Sequence, residues 1–187
     1  MTNDVESAPR RRRDAAATRE AVLIAAREVF AEFGYDGAGT REIAAAAGVD
    51  ARLIGRYFGS KEGLFTEVVE RAFEKTLLLG PGHNHEAARA LLSDHGDGPA
   101  DGLLIALRSA SNERAAAIMR AHLEANYHRA VTDGLAGPHA AGRALLLIAV
   151  CSGVQLMRDV LGHSGLSDDD AGELVPYLEA ALDAIVA

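Results

Sequence analysis

The chain of 187 residues has no tryptophan, few other aromatic side chains and a single cysteine, Cys151. One cysteine cannot form an internal disulfide, so the chain suits a reducing compartment. Alanine and leucine are abundant instead, and both favour helices over sheets. The composition therefore predicts an all-α protein.

Other features are missing as well. No apolar run reaches the roughly 18 to 20 residues of a membrane span, and the N-terminus is polar and then arginine-rich, unlike a secretion signal. The chain contains no HExxH, CxxC, GxSxG or phosphate-loop motif, and its seven histidines lack the spacing of a metal site. We therefore expect a cytoplasmic protein that is not an enzyme, with no cofactor, no metal and no membrane partner.

The net charge of −8 is unevenly distributed along the chain. Residues 1–62 hold ten basic and ten acidic side chains, whereas residues 63–187 hold nine and seventeen. The neutral part begins with a compact cationic block, which consists of Arg10, Arg11, Arg12 and Arg13. Such a run is either a solvated tail or, beside a DNA-reading element, an arm that binds the phosphate backbone. We expect residues 1–13 to form a flexible basic arm.

Capping residues and glycines divide the following segment into short helices. The predicted N-caps are Thr18, Thr40, Asp50 and Ser60, and the predicted left-handed ends are Gly34, Gly48 and Gly59. Beyond residue 80 the signals are coarser, with helices near residues 86–92, 101–110, 112–131, 143–161 and 169–186. No strand or hairpin pattern is found.

The second and third of these short helices are joined by a tight turn with glycine, the pattern of a helix-turn-helix. Arg52 and Arg56 are four residues apart and share one face of the third helix. A helix of about seven residues is about 10 Å long and suits a major groove about 12 Å wide. Small and apolar residues would hold the pair together: Ala44, Ala46, Ala47, Val49, Ile54 and Phe58. The same spacing also fits two small core helices with incidental arginines.

Residues 18–65 also resemble the N-terminal DNA-binding domain of the TetR family of bacterial transcriptional regulators. The resemblance rests on "AAREVFAEFGYDG", "T-x-x-I-A-x-x-A-G-V" and "Y-F-x-S-K-E-x-L". It implies a nine-helix, homodimeric repressor that binds double-stranded operator DNA through residues 14–62. Residues 63–187 would then form a regulatory domain with a pocket for an unknown small-molecule inducer and the dimer interface.

Site residues follow from the same resemblance. Thr40, Arg41 and Lys61 are expected at the DNA backbone, and Ala51, Arg52, Arg56 and Tyr57 at the groove. One position departs from the family: Gly55 stands where a tyrosine or histidine usually contacts the backbone. A second hypothesis is therefore a helical adaptor whose acidic C-terminal surface binds a protein while its DNA element is weakened.

The C-terminal part offers two further sets of candidates. The pocket would be lined from Phe73, Leu77, Leu104, Leu107, Met119, His122, Leu123, Asn126 and Tyr127. His122 and Asn126 either face a ligand together or form a hydrogen bond with each other. The resemblance implies a dimer interface that includes Ala149, Ser152, Gly153, Val175, Leu178, Leu182 and Ile185. The two helices that carry these residues could equally complete a monomeric core.

Overall fold

The computed structural model describes residues 7–73, 79–93, 101–166 and 168–187. Within these ranges every regular element is helical, and we number nine helices in chain order. They are α1 (Ser7–Gly37), α2 (Thr40–Ala46), α3 (Arg52–Phe58), α4 (Lys61–Ala72), α5 (Asn84–Leu92), α6 (Asp101–Ser109), α7 (residues 113–133), α8 (Ala140–Val160) and α9 (Asp168–Val186). Helices α7 and α8 each include one π-helical turn, at Glu124–His128 and Leu156–Val160 respectively. The predicted all-α, nine-helix architecture is confirmed for the described ranges.

Local capping explains the bounds of α3 and α4. The Asp50 carboxylate accepts a hydrogen bond from the Arg52 backbone N–H at 2.8 Å, and the Ser60 hydroxyl accepts one from the Gly63 N–H at 3.0 Å. A side-chain oxygen at the start of a helix satisfies an amide that has no partner within the helix. Ser60 therefore caps α4 as predicted. Asp50 binds the first amide of α3 but lies one residue before the N-cap of that helix, which is Ala51.

Two further predicted caps are wrong. Helix α1 begins at Ser7 and runs through Thr18, whose hydroxyl donates to the Asp14 carbonyl at 2.7 Å. Residues 7–13, expected in a flexible arm, therefore belong to a helix; residues 1–6 lie outside the described part of the chain. Helix α2 has Gly39, not Thr40, at its N-cap.

The first of two compact units consists of the chain up to Ala72 together with Ile105–Ile118. Its core includes Phe30, Tyr35 and Phe65; the Phe65 ring meets the other two edge-on, at centroid distances of 5.0 and 4.9 Å. Helix α4 packs against α1 and contributes Leu64, Phe65, Val68 and Val69 to the buried set. The unit therefore extends beyond the boundary at residue 62 that the sequence indicated.

A close contact ties residues 105–118 to the kinked end of α1. Gly34 lies at φ 67° and ψ −176°, and a β-carbon there would stand 2.3 Å from the carbonyl oxygen of Arg108. The Arg108 guanidinium donates to the carbonyl of Glu32 at 2.9 Å and to that of the residue before it. The Ser109 hydroxyl accepts from the Tyr35 N–H at 3.0 Å. These bonds satisfy groups at the α1 terminus that have no partner within the helix.

The second unit consists of Phe73–Leu104 and Met119–Ala187, within which α5, α8 and α9 pack together. Its buried residues include Leu91, Leu147, Cys151 and Leu182. Asn84, which is 2% exposed, donates to the Asp183 carboxylate at 2.8 Å. A buried amide that is hydrogen-bonded in this way avoids a desolvation penalty. The second unit therefore has a core of its own.

Helix α8 is long and apolar enough to cross a membrane, judged by length and composition alone. The expectation that no segment reaches this level is wrong, because it considered uninterrupted apolar runs. Two arginines near the helix ends have partners within the second unit. Arg143 donates to the carbonyl of Val186 at 3.2 Å, and Arg158 donates to that of Leu91. Each arginine thereby satisfies carbonyls at or just past the C-terminal end of a neighbouring helix.

Candidate nucleic-acid interface

Helix α3 has one buried and one exposed side. Ile54 and Phe58 are buried, whereas Arg52, Gly55 and Arg56 are exposed. A helix of seven residues has little stability of its own and depends on such anchors. Ile54 and Phe58 therefore hold α3 in place, as predicted, and leave the arginine-bearing side open.

Helix α2 is held in a similar way. Ile43 and Ala44 are almost completely buried, and Arg41 is exposed. The expectation that Ala46 lies in a close helix contact is wrong, because this residue is exposed. Thr40 is half-buried at the first position of the helix. The pair α2 and α3 thus forms the predicted helix-turn-helix.

Several basic side chains of the first unit have partners within the chain. Arg19 and Arg71 form ion pairs with glutamates on neighbouring helices. For Arg41, Arg52 and Arg56, by contrast, no carboxylate partner is found among residues 14–73 and 105–118. An exposed guanidinium offers five N–H donors in a planar fork that suits a guanine edge or a phosphate. Within the described part of the first unit, the arginines without a carboxylate partner therefore include the three of the helix-turn-helix.

Lys61 and Tyr57 flank this surface and are half-buried. The Lys61 ammonium lies 4.7 Å from the centroid of the Tyr35 ring, and burial lowers its pKa from the ordinary value. The Tyr57 ring is 6.3 Å from that of Phe58. Both side chains thus have an apolar contact and a polar end, and Lys61 rests on an aromatic face rather than in open solvent.

Some of the predicted pocket residues of the second unit lie close together. The rings of Phe73 and His122 are 5.8 Å apart, and the Asn126 amide is 3.1 Å from the Nδ1 atom of His122. The hydrogen bond between His122 and Asn126 is therefore confirmed. Leu104, Met119 and Leu123 are half-buried, Tyr127 lies in the π-helical turn of α7, and Leu77 lies outside the described residues. In the first unit, Leu107 is exposed.

A cavity of about 370 Å³ is found elsewhere in the second unit. It is lined by Glu86, Arg89, Ala90 and Ser93, all on or just after α5. None of these residues is among the predicted pocket candidates.

The assignment of two residues to the dimer interface is wrong. Val175 and Leu182 are buried in the core of the chain itself, so their side chains have no surface to offer a partner. Ala149 is exposed, and Ser152, Gly153, Leu178 and Ile185 are half-buried. Exposed apolar residues on or next to the same two helices were missed by the sequence analysis: Leu145, Leu146, Met157, Leu161 and Tyr177. Ala144, Leu147 and Cys151 are buried and follow one another at helical spacing along α8. This spacing is the sequence signal from which the exposed apolar residues of the same helix could have been predicted.

A short helix anchored by its apolar side, with unpaired arginines on the other, defines a helix-turn-helix protein of the DNA-binding class. Sequence comparison identifies the family. The model described as bacterial regulatory proteins of the tetR family matches residues 22–68. The model described as a tetracyclin repressor-like C-terminal domain matches residues 83–186, more than half of the chain. The chain belongs to the TetR family of transcriptional regulators.

Solved structures agree with this fold. A putative TetR-family transcriptional regulator from Rhodococcus sp. has a TM-score of 0.69 at 15% identity, over 92% of this chain and 100% of its own. A transcriptional regulator from Rhodococcus sp. Rha1 has a TM-score of 0.57 at 25% identity, over 90% of this chain and 93% of its own. NalD, the secondary repressor of the MexAB-OprM multidrug efflux pump in Pseudomonas aeruginosa, has a TM-score of 0.62 at 21% identity, over 89% of this chain and 95% of its own.

A search of curated proteins found no match. Proteins of the TetR family are DNA-binding regulators rather than enzymes. The family membership does not favour the adaptor hypothesis.

Proposed function

We propose that this protein is a cytoplasmic, homodimeric repressor that binds a palindromic operator and leaves it when a small molecule binds in the second unit. The observation that carries the proposal is the open side of α3. It presents Arg52 and Arg56, for which the described residues offer no carboxylate partner, while Ile54 and Phe58 anchor the opposite side of the helix. Charged groups left unpaired on a rigidly held short helix are suited to an external polyanion.

Each residue of the helix-turn-helix would have a defined role on the DNA. Arg52 and Arg56 would donate to base edges in the major groove, where a well-placed pair of hydrogen bonds discriminates by about 1–3 kcal/mol. Ala51 and Tyr57 would lie at the sides of the groove. Contacts to phosphate, which set the register, would come from Thr40, Arg41 and Lys61, together with the basic positions Arg10, Arg11, Arg12 and Arg13 at the start of α1.

A second copy of the chain is the proposed occupant of the exposed apolar side of α8. Leu145, Leu146 and Ala149 are spaced so that they lie on one side of this helix, and Tyr177 of α9 is 76% exposed. Homodimers are typical of the family, and two helix-turn-helix elements can read half-sites about 34 Å apart. Ser152, Gly153, Leu178 and Ile185, which are half-buried, would lie at the edges of this contact.

Release would follow from a population shift. A ligand can change the DNA affinity only if it binds one conformation of the dimer better than the other. The proposed ligand contacts are Phe73, Leu104, Met119, His122, Leu123, Asn126 and Tyr127. The aromatic contact between Phe73 and His122 and the bond from Asn126 to His122 support a shared site at this place.

The test is fluorescence anisotropy of the purified protein on duplexes from upstream of its own gene and of the neighbouring genes. Scrambled duplexes of the same composition give the non-specific affinity, and a salt series gives the number of phosphates contacted, since the logarithm of affinity falls by about 0.9 per phosphate per decade of salt. We expect selective binding that the variant with both Arg52→Ala and Arg56→Ala loses by about a hundredfold or more.

A matched control removes the same charge elsewhere. Arg120 and Arg129 are exposed on α7, so the double variant Arg120→Ala, Arg129→Ala has the same net charge as the first. It should bind the selected duplex within about twofold of the wild type. If both double variants lose affinity to the same extent, charge alone governs binding and the proposed role of α3 is wrong. The proposed role is equally wrong if both bind as tightly as the wild type.

A further inference from the structure

Gly55 is exposed in the middle of α3, and nothing in the fold requires a glycine there. Its backbone is helical, since it is not among the glycines with positive φ. A β-carbon at this position would meet no heavy atom of the described residues within 4 Å, its chain neighbours and the backbone of its own helix aside. Gly34, Gly48 and Gly59 differ, because each has a positive φ that other residues adopt with strain.

A glycine inside a helix lowers helix stability relative to every residue except proline. Helix α3 has only seven residues and two buried anchors, so the penalty falls on an element with little stability of its own. Neither backbone conformation nor packing compensates for it in the free protein. The reason for the glycine is therefore to be sought in what the exposed side of α3 contacts.

On the helical wheel, Gly55 lies about 60° from Arg52, towards one edge of the exposed side. A helix with its side chains is about 10–12 Å across and nearly fills a major groove about 12 Å wide. At Gly55 the main chain itself is the helix surface. The DNA wall can approach there by about one carbon–carbon bond length, 1.5 Å, more than an alanine would permit.

We propose that Gly55 is a specificity-determining position at which the main chain of α3 lies directly against the DNA. This close approach sets the depth of α3 in the groove, and with it the base edges that Arg52 and Arg56 reach. Hydrogen bonds to bases tolerate only about 0.5 Å in donor–acceptor distance, so a displacement of about 1.5 Å would break them. The inference rests on the proposed function and assigns a role to the position at which this chain lacks a side chain.

The test compares Gly55→Ala with the wild type in stability and in DNA binding. The probe is the duplex that the wild-type protein enriches from a randomised library, so that no operator need be known beforehand. We expect Gly55→Ala to raise the melting temperature by about 2–4 °C and to weaken binding to the enriched duplex at least tenfold. Affinity for non-specific DNA should change less than twofold, since the phosphate-binding cations are unchanged.

The matched control is Gly172→Ala. Gly172 is an exposed glycine within α9 whose β-carbon would likewise have no atom of the described part of the chain within 4 Å. It should give the same gain in melting temperature with no change in DNA affinity. The larger variant Gly55→Tyr should weaken specific binding further and enrich a different sequence from the library.

The outcomes separate the two proposals. If Gly55→Ala or Gly55→Tyr binds the enriched duplex as tightly as the wild type or more tightly, the close approach is wrong and the DNA-binding function stands. If the wild-type protein enriches no sequence, the proposed function fails and the role of Gly55 fails with it.

Discussion

The contact at Gly34 leads to a prediction about the stability of the first unit. Two variants separate the effect of the close contact from that of backbone conformation: Gly34→Ala and Gly48→Ala. Both glycines have a φ of 67°, but only at Gly34 would a β-carbon meet another segment, 2.3 Å from the main-chain oxygen of Arg108. A β-carbon at Gly48 would have no atom within 4 Å among the residues that the structure describes.

The magnitudes follow from these geometries. At φ 67° and ψ −176°, Gly34 lies in a region almost exclusive to glycine, which costs another residue about 1–3 kcal/mol. Displacing the packed Arg108 segment adds about 1–3 kcal/mol, so we expect Gly34→Ala to lose about 4 kcal/mol. Gly48→Ala should lose only about 1 kcal/mol, from the left-handed conformation. In a protein of this size these losses correspond to melting temperatures lower by about 12 °C and 3 °C.

Thermal unfolding followed by circular dichroism at 222 nm measures both effects. Because the β-carbon would meet a main-chain oxygen, removing the Arg108 side chain cannot relieve the clash. The double variant Gly34→Ala, Arg108→Ala should therefore be no more stable than Gly34→Ala. Similar melting temperatures for Gly34→Ala and Gly48→Ala, or a rescue by Arg108→Ala, would refute the reasoning.

Three further predictions concern the second unit. Burial raises the pKa of the Cys151 thiol from 9.0 to about 11, so the folded chain keeps a proton that the unfolded chain loses. Stability should therefore fall between pH 9 and 11, and Cys151→Ala should reduce that fall in urea titrations. Leu146→Glu places a charge on the exposed side of α8 and should convert dimers to monomers in sedimentation velocity. The control Leu107→Glu, at a similarly exposed leucine of α6, should leave the dimer intact. A dimeric Leu146→Glu would contradict the proposed interface. Asn84→Ala leaves the partners of a buried amide unsatisfied and should lower the free energy of unfolding by about 1–3 kcal/mol in denaturant titrations; an unchanged midpoint would contradict this role.

Features that depend on neighbouring residues could be predicted from the sequence. Asp50 and Ser60 accept hydrogen bonds from backbone amides two and three residues ahead, and Gly48 and Gly59 end helices through their own conformation. The anchors of α3 followed from its apolar spacing. These signals act within about one turn of helix, so they can be predicted without information about the rest of the fold.

The start of α1 was missed for a different reason. Residues 1–13 have no apolar periodicity, which suggested a flexible arm, but residues 7–17 are rich in alanine and arginine. Such residues favour a helix by intrinsic propensity, and a preceding helix can continue through a residue such as Thr18 whose hydroxyl bonds back to Asp14. Absence of an apolar face is therefore weak evidence against a helix.

Contacts between distant residues could not be predicted. The Tyr35 amide meets the Ser109 hydroxyl across 74 residues of sequence, and no local pattern indicates the pair. Leu182 is apolar and correctly spaced for a helix face, but spacing does not tell whether that face meets its own chain or a second copy. The structure shows that Leu182 belongs to the core of its own chain.

The composition of the first unit also restricts how such a protein can be recombined. A chimera joined after Ala72 would exchange the helix-turn-helix without Ile105–Ile118, which belongs to the same compact unit. The Tyr35 amide would then face a foreign residue instead of the Ser109 hydroxyl, and a foreign segment would have to fit against Gly34. An exchange that keeps these contacts therefore requires that both stretches of sequence be transferred together.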